Sequence, residues 1–189
     1  MQAEKVIFIG DAGVGKTCIT VRYYQSYFQD EIQPTVGANH CQITLSHEGK
    51  DVVMNIWDTA GQERYRNIVP LYAQDASLVI LVFDVTDVRS FYSLDEWYTK
   101  IHVELGIECP FIIVGNKIDL DQNQIPKENI ENWTNSHKTK LIYTSARTGE
   151  AIVELFEMAA QVLVESKIKK SDEAIQIVAR PLTKKSQCC

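Results

Sequence analysis

Val6-Ile7-Phe8-Ile9-Gly10-Asp11-Ala12-Gly13-Val14-Gly15-Lys16-Thr17 is the stretch that decides the fold. Its apolar opening is a run suited to a strand buried on both faces. From Gly10 onward the residues match the phosphate-binding loop pattern without a mismatch: glycine, four residues, glycine, lysine, then serine or threonine. Glycines let such a loop close tightly, so that consecutive backbone N–H groups converge on phosphate oxygens. The helix that follows adds its partial positive charge. Ala12, Gly13, Val14, Gly15 and Cys18 are therefore expected around a bound phosphate chain. Lys16 is expected to bridge the β- and γ-phosphates, and the Thr17 hydroxyl to bind Mg²⁺. A chance glycine turn before a helix is the competing reading, and pattern and context together disfavour it. The motif specifies a nucleoside triphosphate without specifying the base.

Outward from this loop, short apolar runs alternate with amphipathic stretches. Leu78–Phe83 and Phe111–Val114 read as further buried strands, and Leu141–Tyr143 as a shorter one. Phe91, Leu94, Tyr98, Ile101 and Leu105 fall at helical spacing, as do Ile152, Leu155, Phe156, Ala159 and Leu163. The alternation predicts a doubly wound α/β domain whose sheet is mostly parallel, with helices on both faces. One segment differs. Cys41–Ser46 and Asp51–Trp57 read as strands joined through His47-Glu48-Gly49-Lys50, a hairpin signal that predicts one antiparallel edge strand.

Two further clusters sit at predicted strand ends, where an open α/β sheet presents its ligand contacts. Asp58-Thr59-Ala60-Gly61 follows the strand reaching Trp57. Alone, Asp58 would be read as a turn former; beside the phosphate loop it is expected to contribute to Mg²⁺ binding. Gln62 comes next. By itself it is a solvated loop residue, but a glutamine there can orient a water toward a γ-phosphate. Asn116-Lys117-Ile118-Asp119 follows the strand at Phe111. A carboxylate such as Asp119 can accept from the ring N–H and the exocyclic amine of guanine together. Adenine offers neither donor there, and a site built around a specific polar partner can reject analogues by about 10⁴ or more. Thr144-Ser145-Ala146 ends the next strand, and the backbone N–H groups of Ser145 and Ala146 are expected at the guanine carbonyl.

With these motifs in this order and spacing, the chain resembles a Ras-superfamily GTPase over about residues 4–165. Within that superfamily it resembles the Rab branch, on Trp57-Asp58-Thr59-Ala60-Gly61-Gln62-Glu63-Arg64-Tyr65 and the Cys188-Cys189 ending. The resemblance implies a P-loop small GTPase domain at residues 1–170, with a six-stranded sheet, and a flexible tail at 171–189. It implies binding of GTP or GDP with Mg²⁺, slow hydrolysis, and service in vesicle and membrane traffic. Thr35 matches the threonine of the first switch loop that binds Mg²⁺ and senses the γ-phosphate, and Gly61 the glycine of the second switch loop that contacts the same group. Lys16, Thr35 and Gln62 are then the expected catalytic residues. Phe28 matches the aromatic that packs on guanine, although from the residues alone it reads as core beneath the first helix. Lys117 is expected over the other face of the base. Further implied are an exchange factor, an activating protein that supplies an arginine, effectors, a prenyl-binding chaperone, and a monomer at the cytosolic face of endomembranes that cycles with the cytosol.

The chain also departs from its relatives. Ala12 stands where glycine or serine is usual, a small residue compatible with hydrolysis. His40 replaces the usual phenylalanine of an effector-contacting trio completed by Trp57 and Tyr72. Leu71-Tyr72-Ala73-Gln74-Asp75 replaces the usual Tyr-Tyr-Arg-Gly. These substitutions mark a divergent member. A scaffold that binds nucleotide but hydrolyses negligibly is the alternative function. A P-loop kinase for ATP is disfavoured by Asp119.

Composition bounds what else the protein could do. A chain of 189 residues with 45% hydrophobic and 23% charged residues has room for one full domain. Its net charge of −6 argues against a general nucleic-acid binder. The start, MQAEKVIFIG, lacks the pattern of a signal peptide, and no apolar run approaches a membrane span. Cys18, Cys41 and Cys109 are isolated and expected to stay reduced as small buried hydrophobes. From Glu165 onward, six basic residues outnumber three acidic ones. Cys188 and Cys189 are adjacent, which strains a disulfide; chance, or a metal or redox pair, remain open from composition. The Rab resemblance implies lipidation of both, and two lipid chains anchor firmly where one does not.

Overall fold

Runs rich in β-branched and aromatic residues build the sheet, and the computed structural model of the chain describes residues 3–28, 33–62, 68–120, 122 and 124–178. In chain order the elements are β1 (Glu4–Ile9), α1 (Lys16–Gln25), β2 (Ala38–His47), β3 (Lys50–Thr59), α2 (Val69–Ala73), β4 (Leu78–Asp84), α3 (Val88–Tyr98), β5 (Phe111–Asn116), α4 (Lys127–His137), β6 (Lys140–Thr144) and α5 (Ile152–Val178). The six strands lie in the order β2-β3-β1-β4-β5-β6. Only β2 runs antiparallel to its neighbour; the pairs β1–β3, β1–β4, β4–β5 and β5–β6 are parallel. The predicted architecture is the observed one.

The two-residue strand period sorts side chains into two cores. Val6, Phe8, Ile80, Val82, Ile112 and Val114 point to one face, under α1 and the Ile152, Leu155, Phe156, Ala159 and Leu163 stripe of α5. Ile7, Ile9, Leu81, Phe83 and Ile113 point to the other, under Phe91, Leu94 and Trp97 of α3 and Ile130 and Trp133 of α4. Every residue of β4 and β5 is buried, as their near-continuous apolar character requires.

The hairpin is longer than its sequence signal. His47 pairs with Lys50 across a two-residue turn, in which Glu48 (φ 50°) and Gly49 (φ 74°) are both left-handed. That backbone matches the twist of the strands it joins. Asp87 caps α3 by accepting from the Arg89 N–H at 3.0 Å. The helical spacing that continues to Leu105 is realised differently. After Tyr98 the helix widens into a π-helical turn, Thr99–Glu104, with the Leu105 N–H reaching back to the Lys100 carbonyl at 3.2 Å. α5 remains helical through Val178. Cys188 and Cys189 lie outside the described residues, as do Glu63, Arg64 and Tyr65. Among the described residues no helix is long and apolar enough to cross a membrane.

Candidate nucleotide-binding site

At the C-terminal ends of β1, β3, β4 and β5 the chain order in the sheet reverses around β1, the place where an open α/β sheet forms a crevice. The phosphate loop leaves β1 there and enters α1. Lys16, the first residue of that helix, folds back over its own loop. Its ammonium donates to the Gly10 carbonyl at 2.7 Å and the Asp11 carbonyl at 2.8 Å. Burial pushes the Lys16 pKa down to about 8, with the charges of Asp58 and Asp11 opposing. A buried ammonium held only by neutral carbonyls and nearby acids is suited to an anion. Asp11 is itself anchored from α3, its carboxylate accepting from the Trp97 indole N–H at 3.0 Å. Neither Asp11 nor Trp97 was marked as functional by the sequence motifs.

Around Lys16 lies a cavity of about 230 Å³, lined by Ala12, Gly13, Gly15, Thr17, Cys18, Thr35, Gly61 and Gln62 among others. The expected phosphate and switch residues thus share one space. Val14 is different: its side chain is buried in the core. The Thr17 hydroxyl donates to Asp58 Oδ2 at 2.7 Å and lies 2.8 Å from the Thr35 hydroxyl. Asp58 Oδ1 is buried with no hydrogen-bond partner. Burial raises the Asp58 pKa, with the hydroxyls of Thr17 and Thr35, Asn39 and the Lys16 charge opposing. Two hydroxyls and one carboxylate, one of whose oxygens is orphaned, form a hard oxygen donor set, which fits Mg²⁺.

The two switch loops also touch each other. The Ala60 N–H donates to the Gly37 carbonyl at 2.8 Å. A side chain at Gly61 would collide with the Asp11 carbonyl and the Lys16 ammonium, so only glycine lets this loop approach.

The base end is organised by Asn116, which is 1% exposed. Its amide donates to the Val14 carbonyl at 2.9 Å. Its carbonyl accepts from the Thr144 hydroxyl at 3.1 Å and the Ala146 N–H at 3.2 Å. One side chain therefore locks together the phosphate loop, β5 and the loop after β6. Asp119 accepts from the Ser145 hydroxyl at 2.6 Å, which fixes the carboxylate expected to read the base. The Ser145 N–H, read from sequence as a contact to the guanine carbonyl, donates to the Glu150 carbonyl at 3.1 Å. Lys117 adopts a left-handed φ of 70°, and its ammonium pairs with Asp84 at 2.6 Å. Phe28 is half-buried against the α1–α5 core layer. Farther out, the rings of His40 and Trp57 lie 5.0 Å apart, and those of Trp57 and Tyr72 5.9 Å apart. The Lys5 ammonium sits 5.1 Å from the Trp57 ring.

Comparison with known proteins agrees with this geometry. Residues 5–165 match the model of the Ras family. The chain is 37% identical over 163 residues to Ras-related protein Rab-21 of Geodia cydonium, spanning 86% of this chain and 71% of that one. It is 34% identical over 160 residues to GTP-binding protein YPT53 of Saccharomyces cerevisiae, spanning 81% and 73%. A family match running from β1 into α5, through every element that shapes the crevice, means that the chain belongs to the Ras family and is a Rab-type small GTPase.

Proposed function

We propose that this protein is a GTP/GDP switch of intracellular membrane traffic that works through the crevice above the sheet. The observation that carries this reading is the convergence of Lys16, Thr17, Thr35, Gly61 and Gln62 on one cavity, with Asp58 bonded to Thr17 at its edge, joined through Asn116 to an Asp119 already fixed in position. Ala12, Gly13, Gly15, Cys18 and the backbone of Val14 surround the phosphates. Phe28, Lys117, Asp119, Ser145 and Ala146 hold guanine. Thr17, Thr35 and Asp58 would hold Mg²⁺, whose charge neutralises the β- and γ-phosphate oxygens.

Chemistry at the γ-phosphate then rests mainly on positioning and charge. Lys16 places a positive charge at the phosphate chain. Gln62 orients water. An activating protein supplies an arginine, worth about 10³–10⁵ in rate. Thr35 and Gly61 draw the two loops in when the γ-phosphate is present and release them when it is gone. The His40–Trp57–Tyr72 strip reports that state to effectors, and an exchange factor reloads the site. Cys188 and Cys189 carry the lipid anchor, shielded by a prenyl-binding chaperone when the protein leaves the cytosolic face of endomembranes. A scaffold without hydrolysis gains no support, because Gln62 lines the same cavity as Lys16 and Thr35.

Nucleotide competition with Mg²⁺ present is the first test: GTP and GDP displace a fluorescent guanine nucleotide, and ATP does not. Single-turnover hydrolysis by Gln62→Ala is expected to slow by roughly tenfold or more. Equal displacement by ATP would overturn the reading.

A further inference from the structure

We infer that Asp84 is a positioning residue of the guanine site, holding Lys117 across the base pocket from the neighbouring strand. The inference rests on the nucleotide reading above and extends it to a residue outside all of the recognised motifs. Asp84 ends β4, in direct register with Asn116 at the end of β5. Its Oδ2 lies 2.6 Å from the Lys117 ammonium. Its Oδ1 accepts from the Thr86 N–H at 2.9 Å and the Thr86 hydroxyl at 2.7 Å. The Asp84 N–H donates to the Ser90 hydroxyl at 3.0 Å, which ties the residue to α3. Asp84 is 7% exposed. Burial alone would raise its pKa, yet the bonds from Lys117 and Thr86 outweigh burial and lower it.

The carboxylate is thus immobilised before it meets Lys117, and the lysine is what it aims. Lys117 needs aiming. Its left-handed backbone costs free energy that the surroundings must offset, and a four-carbon stem has many rotamers to lose. The backbone nearby is also fixed. The Val85 N–H donates to the Asn116 carbonyl at 3.1 Å, and the Ile118 N–H to the Thr144 carbonyl at 3.3 Å. A stem pinned between the end of β5 and Asp84 at the end of β4 borders the site that Asn116 and Asp119 organise. Pinning its tip makes the stem a preformed wall, and preorganisation slows ligand escape.

A double-mutant cycle on GDP dissociation, followed with fluorescent GDP on the full chain, tests this. Asp84→Asn keeps the shape and can still accept from Thr86, and it is expected to speed release about tenfold. Asp84→Glu, which keeps the charge, recovers part of the loss. Lys117→Ala speeds release as well, and adding Asp84→Asn to it changes nothing further. A purely structural role for Asp84 predicts instead that the two effects multiply. Unchanged release in Asp84→Asn, or multiplying effects, overturns the inference. If Asp84→Asn does not fold, the Asp84→Glu and Lys117→Ala variants still complete a cycle, and independent effects there overturn it equally. A parent protein that fails to bind GDP would sink the nucleotide reading itself, a separate and earlier result.

Discussion

The two ends of the crevice are held together in different ways. At the base end, Asn116 joins three segments by hydrogen bonds to Val14 in the phosphate loop, Thr144 at the end of β6 and Ala146 in the loop that follows. At the phosphate end, Thr35 reaches the site through its hydroxyl alone, beside Thr17 and Asp58, and one carboxylate oxygen of Asp58 has no partner. The first arrangement is complete as it stands. The second has polar groups that gain from a cation and an anion between them. A molecule that must keep hold of GDP and GTP alike, yet tell them apart, needs this asymmetry: a permanent grip on what the two nucleotides share and a conditional one on what differs.

Breaking the permanent end should have the largest effect. Asn116→Ala strands a carbonyl, a hydroxyl and an N–H in the interior, each costing about 1–3 kcal/mol. GDP dissociation is expected to accelerate by about 100-fold or more, with a fall of several degrees in melting temperature. A variant that releases GDP at the parent's rate would show that Asn116 is not the organiser. Gly61→Ala attacks the conditional end. The added methyl meets the Asp11 carbonyl and the Lys16 ammonium, so the second switch loop must back away. A displacement of that order can cost about 10² in rate. Single-turnover hydrolysis should fall accordingly, while GDP release stays close to the parent's. Thr35→Ala is gentler. Losing one hydroxyl contact is worth about 1–1.5 kcal/mol, so affinity for GTP should drop about tenfold and affinity for GDP should hold. Equal losses for both nucleotides would erase the distinction between the two ends.

How much of this was legible in the sequence follows the same division. The phosphate loop is contiguous, so Gly10 to Thr17 carries its own geometry, and Lys16 and Thr17 stand where the spacing puts them. The sheet was legible because β4 and β5 are near-continuously apolar up to their polar last residues and the β2–β3 turn carries Glu48-Gly49. The base end depends on contacts between distant segments, and sequence spacing does not encode those. Asp84 looks like the polar end of a strand until β4 is set beside β5. Trp97 looks like a helix core residue until its indole is seen to hold Asp11. Nor does spacing show that the Ser145 hydroxyl donates to Asp119 while its N–H meets the Glu150 carbonyl. The widening of α3 into a π-helical turn has no signature in the apolar spacing, which fits an α-helix equally well.

The smallest effect separates the two ends by pH. Burial holds the Lys16 pKa at about 8, below the ordinary lysine value. In the unfolded chain Lys16 keeps its proton to a higher pH, so between these two values the unfolded state binds more protons and stability must rise with pH. The protein without nucleotide should therefore become slightly more resistant to heat as Lys16 loses its charge. Nucleotide binding should move the other way, since phosphates favour the ammonium and the protein must recover the proton to bind. With a pKa of about 8 in the free protein, affinity for GDP is expected to weaken about fourfold between pH 7 and pH 8.5. Calorimetry across that range, paired with melting curves of nucleotide-free protein, reads both slopes. The base end has no group titrating in this window among those whose pKa is shifted. Opposite slopes would place the proton at Lys16; parallel slopes would mean that the buried ammonium is not what grips the phosphates.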